Sequence, residues 1–210
     1  GSDSSRNDPI YAYDVGEPTI MNMSHALMFG LKQAPFWIME QQCGQINWGK
    51  LNPAVRPGTP RLWAWQAIAN GADAIFYFRY RSTLFAHEQY HSGLLRHDGS
   101  PDVGYADAER LRDELETLQA VTAEPPAAQV AILCDFDDLW ALQLQPHRAD
   151  FNYLRHLYAY YNACQRLGIP VHLVPKSAHL TPYKQVNEPH QPKPKNPQTP
   201  NQNPKKNNRK

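Results

Sequence analysis

The sequence predicts an α/β fold in which parallel strands alternate with helices. Two short apolar runs, at residues 36–39 and 74–79, each end in charge and are followed by a long polar loop and then by a segment of helical period. A continuous apolar run of this length is typical of a strand buried on both faces of a parallel sheet. Long loops after the strands favour a (β/α)8 barrel, because barrel active sites are built from the loops at the C-terminal ends of the strands.

The barrel-like region begins with a helix expected at residues 24–33, with Ser24 as its N-cap. After the first strand, a second helix is expected at 61–70, ending at a glycine, and an amphipathic third helix at 105–121. A complete barrel has eight strand–helix units, whereas about two are recognisable here. We therefore expect residues 1–122 to form only part of a barrel.

A proline-containing linker at 122–128 leads to a second region with the pattern of an open α/β sheet. Residues 129–134 and 169–174 are expected to be buried strands, and between them a helix is expected that is capped by Asp150 and runs through Leu167. One side of that helix is expected to carry Phe151, Leu154, Tyr158 and Tyr161. This is the β-α-β start of a second domain at 123–183, and it lacks the GxGxxG turn of a dinucleotide site.

Composition limits the partners and predicts a disordered tail. Residues 184–210 hold six prolines and seven Lys or Arg against one Glu, and almost nothing apolar, so we expect disorder. Sequence translated past a frameshift or contig end is one explanation of this tail, and a natural linker is the other. The net charge of +1 suggests neither nucleic acid nor a membrane surface as partner. Widely spaced Cys43, Cys134 and Cys164 without CxxC spacing favour reduced thiols and a cytoplasmic location.

Glu40 is the main catalytic candidate. It follows an apolar strand and precedes a Gly- and Pro-rich loop, the place where barrel active sites are built. The alternative is a structural carboxylate at the barrel rim, paired with Arg79 or Arg81. The residues alone leave these two interpretations equally open.

Glu88 and His91 form a second polar cluster, in the FAHEQYHSG loop after the next strand. Their spacing of three could indicate a metal pair on a helix, but two ligands without a third are a weak metal signal. Sugar recognition is the more plausible functional role, because carboxylates and imidazoles hydrogen-bond hydroxyl groups. A structural, salt-bridged loop is the remaining alternative. Trp48 could stack on a sugar ring, and neither a cofactor nor a metal ion is expected.

Two stretches of this sequence resemble glycoside hydrolase family 42, the β-galactosidases. They are FWIMEQQCGQINWGKLNPAVRPGTPRLWAWQAIANGADAIFYFRYR and FAHEQYHSGLLRHDGSPDVGY, and the similarity runs through most of residues 20–183. The resemblance implies the C-terminal part of a (β/α)8 barrel, followed by the start of an α/β trimerisation domain with a flavodoxin- or amidotransferase-like sheet. It also implies retaining hydrolysis of terminal β-galactosyl groups by a homotrimeric parent protein.

The same resemblance implies roles for the candidate residues. Glu40 would be the nucleophile at the end of the seventh strand, and Trp48 part of the wall of the sugar site. Glu88 and His91 would contact galactose hydroxyls. Cys43 departs from the family pattern, since many relatives have proline there, and we expect the change to be tolerated.

The second catalytic carboxyl group of a retaining glycosidase has no candidate in this sequence. In the family it would be the Glu of an Asn-Glu pair ending the fourth strand. Upstream of Glu40 stands only Glu17, in Val-Gly-Glu-Pro, and the sole Asn-Glu is Asn187-Glu188 in the tail. We therefore expect an inactive fragment of a β-galactosidase. The alternatives are a non-catalytic sugar-binding or oligomerisation module, and a retaining glycosidase acting on another glycoside.

Overall fold

The computed structural model describes residues 15–50, 52–118, 126–146 and 148–189. Two parallel sheets are present in these ranges: β1 pairs with β2, and β3 lies between β4 and β5. The predicted α/β class is confirmed. The elements, in chain order, are α1 (Pro18–Lys32), β1 (Phe36–Gln42), α2 (Thr59–Ala69), β2 (Ala72–Phe78), α3 (Val103–Thr117), β3 (Val130–Leu133), α4 (Phe136–Leu144), α5 (Tyr153–Arg166), β4 (Val171–Val174) and β5 (Gln185–Asn187).

Strand β1 is longer and less buried than predicted. It continues to Gln42, so Glu40 lies inside the strand rather than just after it. Trp37 and Met39 are 58% and 63% exposed, so burial on both faces is wrong for the described residues. Helix α2 packs against β1 and β2. Side chains alternate between the two faces of a strand, and within the described ranges no element covers the face that carries Trp37 and Met39.

Helix α1 begins six residues before the predicted start. The carboxylate of Glu17 caps it by accepting a hydrogen bond from the Ile20 backbone N–H at 2.7 Å, and Pro18 occupies the first turn. A proline suits this position because its missing N–H would have no partner there. Ser24 is therefore not the N-cap. Its hydroxyl donates to the Ile20 carbonyl one turn back, at 3.0 Å.

Helices α2 and α3 form close to their predicted positions and are joined by one carboxylate. Glu114 accepts two hydrogen bonds from Arg61, at 2.8 and 2.6 Å, and one from the indole N–H of Trp65 at 2.7 Å. At the other end of α3, the buried Asp107 accepts from the backbone N–H of Gly58 at 2.8 Å. These contacts fix α3 against α2 and against the loop that leads into α2.

The second sheet is covered by α5, whose start and buried face differ from the prediction. Its N-cap is Asn152 rather than Asp150, which pairs instead with Arg148. The buried side chains of α5 are Tyr153, Leu157 and Tyr161. The predicted stripe through Phe151 and Leu154 is wrong, since these side chains are 36% and 46% exposed. The buried side chains recur every four residues, so the face of α5 that meets the sheet is rotated from the predicted stripe, and Tyr161 belongs to both.

The tail predicted to be disordered from residue 184 contains a strand. Residues Gln185–Asn187 form β5, which pairs in parallel with β3, with Val130 opposite Gln185 and Ile132 opposite Asn187. Backbone hydrogen bonds to β3 hold this polar segment, which composition alone cannot reveal. The rest of the predicted tail, from residue 190, lies outside the described residues, as does most of the predicted linker at 122–128. Helix α4 was not predicted.

Helix α1 connects the two sheets by packing against β4. A Cβ on Gly30 would lie 1.8 Å from the Leu173 carbonyl oxygen, so the backbones approach closely. The Phe29 and His172 rings lie beside each other, with centroids 4.8 Å apart. Ala26 of α1 thereby joins the buried cluster of the second sheet. No helix in the described ranges is long and apolar enough to cross a membrane.

Candidate active site

Glu40 is solvent-exposed and stands near the end of β1. Within the described residues its carboxylate makes no ion pair. The two arginines proposed as alternative partners are engaged elsewhere: Arg79 pairs with Glu88, and Arg81 donates to the His97 carbonyl at 2.8 Å. The interpretation of Glu40 as a structural rim carboxylate therefore finds no support in these contacts.

The loops that follow β1 and β2 are packed directly against each other. A Cβ on Gly44 would lie 2.4 Å from the Ser92 Cβ, so only glycine allows this approach. The Ser92 backbone N–H donates to the Gln45 carbonyl at 2.8 Å. The buried Cys43 thiol donates to the Phe78 carbonyl, with a sulfur–oxygen distance of 3.4 Å. This packing brings the loop after Glu40 against the loop that carries Glu88 and His91.

Glu88 is held by the first residue after β2. Arg79 donates a charge-assisted hydrogen bond to the Glu88 carboxylate, and its guanidinium lies over the Phe78 ring, 4.5 Å from the centroid. The backbones of Ala86 and Glu88 have φ of +68° and +64°, the left-handed region, which costs about 1 kcal/mol or more for a side chain other than glycine. Tertiary contacts therefore impose this turn.

His91 is buried, with its ring edge-to-face against Phe78 at a centroid distance of 5.3 Å. Its side chain is 5% exposed, and neither ring nitrogen has a hydrogen-bond partner among the described residues. Burial lowers the pKa of His91, whereas the nearby charges of Glu88 and Glu40 act in the opposite direction. The imidazole is therefore neutral at neutral pH, with one nitrogen as a donor and the other as an acceptor, and both nitrogens are buried from solvent. The electrostatic influence of both carboxylates places His91 in the same region as Glu40 and Glu88.

Ser82 fixes the backbone around His91. Its buried hydroxyl donates to the His91 carbonyl at 3.2 Å and accepts from the Gly93 N–H at 2.9 Å. Sequence reasoning missed this positioning role of Ser82, because its partners are backbone groups in the folded loop.

Trp48 lies on the loop after β1, with its indole 73% exposed. Asn52 braces this loop: its side chain accepts from the Gly49 N–H at 2.9 Å and donates to the Gly49 carbonyl at 3.1 Å. An exposed indole on a braced loop presents a flat apolar face, the kind of surface on which a ring can stack. No contact among the described residues joins Trp48 to Glu40, so its role in the site stays a prediction.

The suggestion of a metal pair at Glu88 and His91 is not supported. Residues 87–90 form a turn rather than a helix, so a spacing of three does not align the two side chains along one helical face. In the described part of the chain, no three His, Cys, Asp or Glu side chains are grouped to hold a metal ion.

Two buried polar atoms near the site were also missed by sequence reasoning. The Tyr77 hydroxyl on β2 and the Asn47 side-chain oxygen have no partner among the described residues. Burial raises the pKa of Tyr77 to about 12, so the hydroxyl keeps its proton and can donate. Asn47 directly precedes Trp48, and sequence reasoning did not single it out.

Family models match both parts of the chain. Residues 5–118 match the model described as β-galactosidase, and residues 128–191 match the β-galactosidase trimerisation domain. The β-galactosidase of Thermus thermophilus is 43% identical over 170 residues, which cover 80% of this chain and 26% of that protein. β-Galactosidase Bga of Halorubrum lacusprofundi is 46% identical over 171 residues, 81% of this chain and 24% of that protein. The chain thus spans about a quarter of the length of these relatives.

Solved structures show the same similarity. The β-galactosidase from the Antarctic haloarchaeon Halorubrum lacusprofundi matches with a TM-score of 0.78 and 44% identity, over 83% of this chain and 26% of that one. The β-galactosidase from psychrophilic Marinomonas ef1 matches with a TM-score of 0.79 and 34% identity, over 83% and 28%. A family 5 glycoside hydrolase from Bifidobacterium longum, 12% identical at a TM-score of 0.55 and covering 83% of this chain and 43% of that one, shows a similar fold alone. The predicted fold class, part of a (β/α)8 barrel followed by an α/β domain, is confirmed.

Proposed function

Because this chain belongs to glycoside hydrolase family 42, the β-galactosidases, we propose that it serves in the retaining hydrolysis of terminal β-D-galactosyl residues, with Glu40 as the nucleophile. The observation that carries the proposal is the state of Glu40: an exposed carboxylate near a barrel strand end, without an ion pair among the described residues. A nucleophile needs this freedom, because it must attack the anomeric carbon. One matched structure, a β-galactosidase from G. stearothermophilus 29% identical to this chain, is described as a catalytic mutant with alanine in place of a glutamate.

A retaining mechanism needs two carboxyl groups about 5–5.5 Å apart. Glu40 would form the covalent galactosyl–enzyme while a second carboxyl group, acting as an acid, protonates the leaving oxygen. That second group, now ionised, would then act as a base and take a proton from the attacking water. Glu88 does not suit this second role. It is ion-paired with Arg79, and a guanidinium pairs with a carboxylate rather than with a protonated carboxyl group.

Glu88 and His91 suit binding of galactose hydroxyls. The carboxylate held by Arg79 is an acceptor of fixed position, and the buried neutral imidazole has unpartnered nitrogens in the described structure. A buried imidazole without partners carries a desolvation cost that a ligand hydroxyl would relieve. Trp48 would add an apolar face for the pyranose ring.

A fluorinated galactoside tests the nucleophile directly. In 2,4-dinitrophenyl 2-deoxy-2-fluoro-β-galactoside, the leaving group departs without protonation, so labelling does not depend on a general acid. We expect peptide mapping by mass spectrometry to find a fluorogalactosyl adduct on Glu40, and no adduct in Glu40→Gln. A label on Glu88 or on another carboxylate would contradict the assignment.

Turnover of an ordinary galactoside is a separate question. Of the two described barrel strands, β1 carries Glu40, and the one carboxyl group of β2, Asp73, stands at the N-terminal end of that strand, away from the end that carries Glu40. We propose that the 210-residue chain alone releases no galactose from lactose, since a general acid contributes typically 10²–10⁴-fold. Steady turnover that disappears in Glu40→Gln would refute this part and would require an acid supplied by another residue.

Assembly and location complete the proposal. The match of residues 128–191 to a trimerisation domain supports a homotrimer, which native mass spectrometry would detect as a species of three chains. A monomer at all concentrations would contradict it. Cys43, Cys134 and Cys164 are free thiols, which supports a reducing, cytoplasmic environment.

A further inference from the structure

Helix α4 presents a row of large apolar side chains to solvent. Phe136, Trp140 and Leu144, the α4 stripe, are 44%, 56% and 83% exposed. They follow one another at intervals of four residues, so they lie along one face of the helix. The rings of Phe136 and Trp140 lie beside each other, with centroids 6.3 Å apart. The three side chains therefore form one continuous apolar surface.

The opposite face of α4 fixes how the helix is rotated. Leu142 is buried in the hydrophobic cluster of the second sheet, and Leu139 packs against the same cluster. On this side Asp138 also pairs with Lys176, which follows β4, at a distance of 2.6 Å. The stripe cannot turn inwards without withdrawing Leu142 from the core, so its exposure is imposed by the fold of the second domain.

The stripe has the composition of the centre of a protein–protein interface. Residues 139–146, LWALQLQP, contain no charged side chain. Charged residues are depleted at the centre of interfaces, where Trp and Phe are enriched. A contiguous apolar patch on a protein surface commonly marks an interaction site, whereas singly exposed apolar residues are ordinary.

The exposed apolar side chains of α5 and its C-terminal end are mixed with charge. Leu154 is followed by the exposed Arg155, and Leu167 directly follows the exposed Arg166. These positions fit a solvated surface, because each apolar side chain has a guanidinium group next to it in the chain. An uncharged apolar face distinguishes α4 from α5.

The partner that fits the stripe is indicated by the domain that carries it. Residues 128–191 match a trimerisation domain, and α4 (Phe136–Leu144) lies wholly within that range. A domain that holds copies of one chain together needs a surface whose burial stabilises the contact. Buried aromatic side chains, tryptophan above all, supply most of the binding energy at such contacts.

We propose that the α4 stripe is the surface through which a second copy of this chain binds, with Trp140 as the central anchor. This inference rests on the homotrimer proposed above and adds the surface that forms it. In a closed ring of three chains every copy contributes its stripe, so the loss of one side chain weakens all three interfaces at once.

Native mass spectrometry of the 210-residue chain over a range of concentrations tests the surface with Trp140→Lys. The matched control is Leu167→Lys, which places the same charge at a more exposed apolar position of the same domain. We expect Trp140→Lys to raise the dissociation constant between copies by about 30-fold or more, as for an interface hot spot, and Leu167→Lys to leave it unchanged.

The outcomes separate this surface from the homotrimer itself. A trimer that dissociates equally in the unsubstituted chain and in Trp140→Lys would refute the α4 stripe and leave the homotrimer standing. An unsubstituted chain that is monomeric at all concentrations would overturn both. A far-UV circular dichroism spectrum identical to that of the unsubstituted chain would show that Trp140→Lys is folded.

Photochemical cross-linking identifies the occupant of the stripe without removing Trp140. The photoreactive p-benzoylphenylalanine is placed at Leu144, and at Leu167 as the control, in an equal mixture of ¹⁴N- and ¹⁵N-labelled chains. We expect cross-linked peptides that combine both labels from position 144 and not from position 167. Cross-links within one label alone would show that another segment of the same chain covers the stripe. That result, or the absence of cross-links from position 144, would overturn the proposal.

Discussion

Replacing Gly104 with alanine tests whether α3 holds the loop that follows β1, the strand that carries Glu40. Gly104 is buried in the first turn of α3, against the backbone of Cys43, three residues after Glu40. The new Cβ would lie 2.0 Å from the Cys43 carbonyl oxygen, whereas Cβ contacts under 3.0 Å essentially never occur. Either α3 or the loop must therefore move by about 1 Å.

Two opposing effects decide the magnitude. Alanine favours a helix over glycine by about 1 kcal/mol in a helix interior, and by less in the first turn. Overpacking typically costs 1–3 kcal/mol, and here the obstructing atom is backbone, which cannot rotate away. We expect a net loss of about 1–2 kcal/mol in the free energy of unfolding. A displacement of about 1 Å at a reacting group can reduce a rate by about 10²-fold.

Chemical denaturation and the rate of labelling of Glu40 by the fluorinated galactoside measure the two effects. Glu109→Ala, at an exposed position of the same helix, is the control, and we expect its stability to stay within about 0.5 kcal/mol of the unsubstituted chain. A Gly104→Ala variant as stable as that control, and labelled at the unsubstituted rate, would refute the close approach of α3 to Cys43.

Three further substitutions test other contacts. Leu157→Ala, at a fully buried position of α5, is expected to lower the free energy of unfolding by about 2–5 kcal/mol. Leu154→Ala, at a half-exposed position, is expected to lower it by much less. Equal losses would indicate that Leu154 is buried as the sequence predicted. Asn152→Ala is expected to cost about 0.5–2 kcal/mol as loss of an N-cap, whereas Asp150→Ala is expected to have little effect, and calorimetry would show the reverse order if Asp150 were the cap. Hydrogen bonds from an arginine and a tryptophan of α2 lower the pKa of Glu114. The stabilisation by the Glu114 carboxylate is therefore fully present above the ordinary glutamate pKa and is lost as the pH falls through the lowered pKa of the folded protein. The melting-temperature difference between the unsubstituted chain and Glu114→Gln should therefore shrink in acid, and a constant difference would contradict the assignment.

Sequence periodicity was sufficient for the elements that bury a regular stripe or a short apolar run. Strands β2, β3 and β4 lie within two residues of their predicted ends, and β1 begins where predicted but ends three residues later. The predicted helix starts were wrong where another nearby residue could also serve as the N-cap. Ser24 and Asp150 are good N-cap residues, but Glu17 and Asn152 took those positions because the first helical turn formed elsewhere. Strand β5 is polar, and its pairing partner stands more than fifty positions earlier in the chain, so its formation depends on a tertiary contact.

The candidate site divides in the same way. Glu40, Trp48, Glu88 and His91 could be singled out from the sequence, because chemically reactive side chains follow strand ends and carry a recognisable motif. Sequence alone left open whether Arg79 pairs with Glu40 or stands apart from it.

The sequence by itself determined the order of most elements, although not α4 or β5, together with the family pattern and the candidate site residues, since periodicity and residue type are local properties of the chain. Only the tertiary structure decided that Arg79 pairs with Glu88, that the His91 ring nitrogens lack a hydrogen-bond partner among the described residues, and that Gly44 lets two loops meet. These features depend on distances between residues far apart in sequence. Such distances are set by the packing of whole elements, which no local pattern contains.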